Sequence, residues 1–209
     1  MTIYGCLKSG MGRKSKSESR KPEILQNLYK VVNREGLEGT TLNKVAKEMG
    51  VNSGLLVHYF KTKDEMIFAL VEFMAEKYSS IYTDELNKFD KPKDRMDNLL
   101  NTFFELEWTQ RGDAAIFWSC YSLSYRNERV KAQFSKMYLF FRDQLAGEIE
   151  LYQWAGITKV TDPVQTADVI ITMIEGIYFY HNALGPDTNI DGAVKFIKKS
   201  VSRLLIEGI

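Results

Sequence analysis

Three observations predict an all-α chain in two parts, a small three-helix unit followed by a larger helical bundle. Apolar residues recur at helical spacing, as in Leu42, Val45, Ala46 and Met49, one stripe of an amphipathic helix. No strand-like alternation of apolar and polar residues stands out. Breaks at Arg111-Gly112, Gly156-Ile157, Asp162-Pro163 and Gly185-Pro186 divide the second part into helix-length pieces.

Residues 1–19 contain Gly5, Gly10 and Gly12 and a basic run, and read as a mobile basic arm. A first helix is expected from near Pro22, a residue tolerated in a first turn. It carries Ile24, Leu25, Leu28, Val31 and Val32 toward Gly36. Thr40 or Thr41 can cap the next helix, because a hydroxyl accepts a free N–H of the first turn. Gly50 stops that helix by taking a left-handed conformation without steric cost. Asn52 or Ser53 caps a third short helix that runs to about Phe60. Two short helices around a tight glycine turn form a helix-turn-helix. At about 100° per residue, Leu56 and Phe60 share the buried side. Gly54 and His58 lie opposite, flanked by Leu55 and Val57, with Ser53 and Tyr59 at the margins. Small groups and a few hydrogen-bonding tips suit insertion into a major groove.

Asp64 and Glu65 open a long helix that ends before Pro92, their charge complementing the helix dipole. Further helices are expected at about Lys93–Trp108, Asp113–Tyr125, Asn127–Trp154, Pro163–Leu184 and Asp191–Glu207. The domain division is 20–63 for the helix-turn-helix unit and 64–209 for a regulatory and dimerisation bundle.

The net charge of +1 hides a split: residues 1–63 hold 12 Lys/Arg against 5 Asp/Glu, and residues 64–209 hold 16 against 22. A net of +7 beside −6 points to a polyanionic partner at the N-terminal end. The two cysteines, Cys6 and Cys120, form neither a disulfide framework nor a CxxC metal pattern, so a reducing cytoplasm is expected. The most apolar stretch, Val169–Leu184, is broken by Glu175, His181 and Asn182, and no membrane span is expected. No G-x-S-x-G, H-E-x-x-H or P-loop pattern occurs, so neither enzyme, cofactor nor metal is expected.

The run T-T-x-x-x-V-A-x-x-x-G-V-x-x-G-x-x-x-x-Y-F-x-x-K-x-x-M, from Thr40 to Met66, resembles the N-terminal domain of TetR-family transcription regulators. Val57 stands where many members carry tyrosine, and G-L-L-V-H-Y-F is similar to the branch of choline-responsive repressors. The resemblance implies an all-helical homodimer, mostly a repressor, that a small ligand releases from a palindromic operator in double-stranded DNA. The alternative is a DNA-binding architectural or protein-regulated factor without an effector.

Thr41, Asn43, Lys44, Asn52, Ser53, Gly54, Leu55 and His58 are the expected DNA contacts. Leu55 would read a thymine methyl, and Ser53 either base type. Tyr59 and Lys63 align with family positions that usually hold phosphates. The regulatory region concentrates rings at Phe103, Phe104, Trp108, Phe117, Trp118, Tyr121, Phe134, Tyr138, Phe141 and Tyr178, with Met137 among them. Rings from four helices pack with difficulty, and apolar hollows between helices are common ligand sites. Glu105, Glu107, Glu175 and His181 are the polar groups nearby. An acid amid rings suits a cation. In the family the last two helices pair with their twins, which makes Ile170, Ile174, Ile177, Val194, Ile197, Val201 and Leu204 the expected dimer face.

Overall fold

The computed structural model describes residues 16–104, 114–185 and 187–208. Among them helices form and no strand does: α1 (Lys16–Gly39), α2 (Leu42–Met49), α3 (Ser53–Tyr59), α4 (Lys63–Leu86), α5 (Pro92–Phe104), α6 (Ala114–Leu123), α7 (Glu128–Trp154), α8 (Pro163–Leu184) and α9 (Asp191–Glu207).

Helix α1 departs from expectation at its start. It begins at Lys16, so Pro22 sits inside the helix, where the ring removes one i→i−4 bond without ending the element. The arm expected over 1–19 is therefore helical at Lys16–Ser19, and its remainder lies outside the described residues. Near its end Gly36 adopts φ 74° and ψ 166°, a kink that only glycine tolerates cheaply. The buried Thr40 hydroxyl donates to the Gly36 carbonyl at 2.7 Å, which leaves Thr41 as the cap of α2.

The turns that follow obey local chemistry. Thr41 Oγ1 accepts from the Lys44 N–H at 3.3 Å. Gly50 takes φ 66° and ψ 29°, and the Val51 N–H donates back to the Ala46 carbonyl at 3.0 Å, closing α2 in a Schellman-type turn. Asn52 Oδ1 accepts from the Gly54 N–H at 2.8 Å and starts α3. Thr62 Oγ1 accepts from the Glu65 N–H at 3.1 Å, while Glu65 reaches back to the Lys61 N–H at 2.8 Å. That pair starts α4 in the manner of a capping box.

Two buried apolar clusters hold the chain together. The first joins α1, α2 and α3 (Ile24, Leu28, Val45, Leu56 and Phe60) to the first half of α4, to Ile116 and Cys120 of α6, and to the start of α7. The second joins the end of α4 to α5, the later part of α7, α8 and α9. Phe141 packs against both. A partly buried ion pair ties α5 to α7: Arg95 Nε and Nη2 meet the two oxygens of Glu148 at 2.8 and 2.5 Å.

The residues expected at a dimer face lie against the bundle core. Ile170, Ile174, Ile177, Val194 and Val201 are buried within this single chain, and Ile197 and Leu204 pack against the same second cluster. They form the core that attaches α8 and α9 to the bundle. The large apolar side chains that these helices expose among the described residues include Phe179 (62% exposed), Tyr180 (54%), Phe196 (72%) and Ile206 (53%), with Val164 and Leu184 at the ends of α8.

Candidate nucleic-acid interface and ligand cavity

Helices α2 and α3 present one continuous outer surface. Thr41, Asn43, Lys44, Asn52, Gly54, His58 and Lys63 are exposed, and Ser53, Leu55 and Tyr59 are half-buried, while Leu56 and Phe60 face the core. The expected residues therefore share a surface, with two qualifications. Lys44 is engaged within the chain: its ammonium pairs with Glu35 and donates to the Gly39 carbonyl at 2.8 Å. Lys63 Nζ likewise donates to the Glu38 carbonyl at 3.1 Å. Two cations thus close the carbonyl end of α1, where the helix dipole favours positive charge. The hydrogen bond from Lys44, followed by one from Arg34, holds the Glu35 carboxyl below its ordinary value.

Sequence reasoning left one residue of this surface out of its contacts. Val57 is 53% exposed between Gly54 and His58. An exposed β-branched side chain on the polar face of a short helix was the available signal. Gly54 is closely fitted as well, since an added Cβ would come within 3.2 Å of the capping Asn52 Oδ1.

The second site is a cavity of about 140 Å³ among α4, α5, α6, α7 and α8. Of the expected ring residues, Phe103, Phe117, Trp118, Phe141 and Tyr178 line it, together with Met137. Phe104 turns into the second buried cluster instead. Tyr121, Phe134 and Tyr138 line a separate hollow beside α7, of about 670 Å³. Trp108, Glu105 and Glu107 lie outside the described residues. The sequence list omitted Tyr78 and Tyr82 of α4, which supply a wall, and Asn182 of α8. Their spacing on α4, one turn apart, was the signal. Ile174, expected at a dimer face, lines the cavity.

Glu175 is the acid at this cavity, and no lysine or arginine stands among the described lining residues. Burial pushes its carboxyl up to about 7, against a hydrogen bond from Tyr138 that lowers it. Desolvation wins because a charge without a counter-ion is costly in an apolar wall. The Tyr82 hydroxyl is buried with no hydrogen-bond partner among the described residues, as is His181 Nδ1. The Tyr178 hydroxyl, by contrast, donates to the Phe103 carbonyl at 2.6 Å.

Helix α6 belongs to both sites. Its Ile116 and Cys120 are buried in the cluster that carries α1, α2 and α3, and its Phe117 and Trp118 line the cavity. Phe117 meets Tyr78 of α4 edge-on, with ring centroids 6.1 Å apart. At the near end of α4, the Arg129 guanidinium of α7 lies 4.2 Å above the Phe68 ring.

A helix-turn-helix with an open outer face, joined through shared helices to a cavity-bearing bundle, defines a DNA-binding regulator. Comparison with known proteins agrees. Residues 24–70 match the bacterial regulatory proteins of the tetR family, and residues 91–206 match the tetracyclin repressor-like C-terminal domain. The chain belongs to the TetR family of DNA-binding transcriptional regulators. It is similar to the HTH-type transcriptional regulator BetI of Rhizobium meliloti, 19% identical over 88% of each chain. It is also similar to the nucleoid occlusion factor SlmA of Actinobacillus pleuropneumoniae, 24% identical over 79% of this chain and 82% of that one. Its fold matches a transcriptional regulator from Saccharomonospora viridis solved in complex with choline. There the TM-score is 0.71 at 14% identity, covering 90% of this chain and 96% of the other. No helix among the described residues is long and apolar enough to cross a membrane.

Proposed function

We propose that the protein is a homodimeric repressor whose hold on a palindromic operator is released by a small molecule entering the cavity. Residues 20–63 read DNA in this scheme, and 64–209 sense and dimerise. Asn43, Ser53, Leu55 and His58 approach base edges, and Val57 adds an apolar contact for a thymine methyl. Thr41, Asn52, Tyr59, Lys44 and Lys63 serve the phosphate backbone, which positions the protein without reading sequence. Gly54 lets α3 come close to the groove floor.

The observation that carries the reading is the double role of α6. A ligand that pushes on Phe117 and Trp118 pushes on the helix whose opposite side packs into the reading unit's core. Packed cores switch between discrete arrangements rather than deform continuously. Such a shift is bounded by the ligand's differential affinity for the two states, and roughly 5.5 kcal/mol takes a population from 1:99 to 99:1.

Pairing of two subunits through Phe179, Tyr180, Phe196 and Ile206 would give a two-fold dimer with self-complementary patches. Its reading helices would then stand about 34–36 Å apart, one turn of DNA. A second reading, suggested by the likeness to SlmA across most of the chain, is a DNA-binding factor controlled by a protein partner.

Operator fragments recovered from DNA that co-purifies with the protein allow the test, read by fluorescence anisotropy. Saturating the cavity should weaken operator binding at least about tenfold. Unchanged affinity at saturation rejects release by ligand and favours the second reading. Substituting His58→Ala should weaken specific binding more than nonspecific binding; equal losses remove His58 from base readout.

A further inference from the structure

We propose that the hollow between α6 and α7 is a small-molecule site in its own right, separate from the inner cavity, and that it takes an uncharged aromatic molecule bearing hydroxyl groups. Its occupancy is independent of whether the inner cavity holds an effector.

The hollow lies where the end of α6 and the turn after it, with Tyr121 and Tyr125, diverge from the first half of α7. Along α7, Glu128, Lys131, Ser135 and Tyr138 line it at intervals of three or four residues, the spacing of one helix face. Its volume of about 670 Å³ falls within the roughly 300–1,000 Å³ of ligand sites. The walls are held from behind. Phe134 is buried in the first apolar cluster, and Tyr121 and Tyr138 pack against that cluster. Tyr121 meets Phe134 edge-on with ring centroids 5.3 Å apart, and Tyr125 continues the ladder edge-on at 6.0 Å. Rings fixed in this way need no ordering when a ligand arrives, which removes one cost of binding. Tyr125 and Leu139 stand exposed at the mouth. Single exposed apolar side chains are ordinary, but two gathered at one ring-lined hollow mark a place of binding.

The lining also selects the class of ligand. Glu128 and Lys131 are the charged groups among the described lining residues, and they lie 3.9 Å apart. An ion of either sign therefore meets no net opposite charge, and it must shed water against the rings at a cost. A flat neutral ring system loses nothing by desolvation and packs on these side chains stacked or edge-on. The hydroxyls of Ser124, Ser135, Tyr121 and Tyr125 supply donors and acceptors around it. Burial pushes the Tyr121 and Tyr138 phenols up, so both keep their protons at neutral pH. A ligand without hydroxyls would displace water from these groups and replace none of its hydrogen bonds.

One layer of side chains divides this hollow from the inner cavity. Tyr138 of the outer wall hydrogen-bonds with Glu175 of the inner one. Tyr121 of the outer wall lies parallel to Phe117 of the inner one, with centroids 6.3 Å apart. Ser135 lines the outer space alone, so a change there tells the two sites apart.

The test is isothermal titration of the full chain at neutral pH with 4,4′-dihydroxybiphenyl, a rigid pair of rings with two hydroxyls. Biphenyl-4-carboxylate and 4-phenylbenzylammonium are its anionic and cationic counterparts. The dihydroxy compound should bind one to one and at least about tenfold tighter than either ion. Ser135→Trp fills the hollow from an exposed position and should lower that affinity at least about tenfold. Tyr125→Ala removes the exposed ring at the mouth and should lower it about threefold to tenfold. Melting temperatures show that both variants fold. The assignment is overturned by an absence of binding, by an ion that binds as tightly, or by an affinity unchanged in either variant. Affinity that survives Ser135→Trp places the ligand in the inner cavity instead. Operator DNA takes no part in this measurement. Failure of release by ligand therefore leaves the outer site standing, and loss of the outer site leaves release by ligand standing.

Discussion

The reading unit and the bundle differ in what holds them. From Thr40 to Glu65, backbone ends are tied by side chains a few residues away: Thr41, Asn52 and Thr62 cap three successive helices, and Gly50 closes a turn. The bundle caps α7 and α8 in the same way, through Asn127 and Asp162, and adds burial between distant helices and a bidentate ion pair between α5 and α7. It also buries an acid in an apolar wall and leaves the Tyr82 hydroxyl and His181 Nδ1 without partners among the described residues. A surface that must dock on DNA gains from local rigidity. A hollow that must respond to a ligand keeps unsatisfied chemistry, which native proteins concentrate at functional sites.

Substitutions can break this contrast, and the largest effect is expected at the ion pair. Removing one partner by Glu148→Ala leaves the half-buried Arg95 without its counter-ion, which should cost about 2 kcal/mol in urea unfolding, less than a fully buried pair would. A loss under about 1 kcal/mol would mean that water reaches Arg95. Next comes a cap of the reading unit. Asn52→Ala removes the acceptor for the Gly54 N–H and should cost about 1 kcal/mol, with a matching fall in operator affinity at high temperature. Smallest is Tyr82→Phe. It deletes a hydroxyl that no described residue satisfies, so stability should hold within about 0.5 kcal/mol or rise. A marked loss would reveal a hydrogen bond at that hydroxyl and weaken the contrast between the two regions.

Much of the reading unit was legible because its signals are local. Gly50, Leu56 and Phe60 follow from capping chemistry and a 3.6-residue period, and the caps, narrowed to Thr40 or Thr41 and to Asn52 or Ser53, fall on Thr41 and Asn52. The start of α1 was not legible, because Pro22 suits a first turn equally well as a helix interior that packing sustains. In the bundle, ring composition pointed to a cavity but could not sort its members. Phe103 and Phe104 are sequence neighbours, yet one lines the cavity and the other fills the second core, about 100° away around α5. Helix α8 is apolar on more than one side, so its sequence offered Ile170, Ile174 and Ile177 as readily as Phe179 and Tyr180 for an outer face.

Sequence alone determined the all-α class, the capped helix-turn-helix with its outward face, and the family, because these depend on interactions spanning fewer than about eight residues. Tertiary structure decided which rings meet around Glu175, which face of α8 turns outward, and that α6 serves both halves. Those outcomes depend on which helices share a core, and a helix's own periodicity records that it has an apolar side without naming the neighbour that covers it.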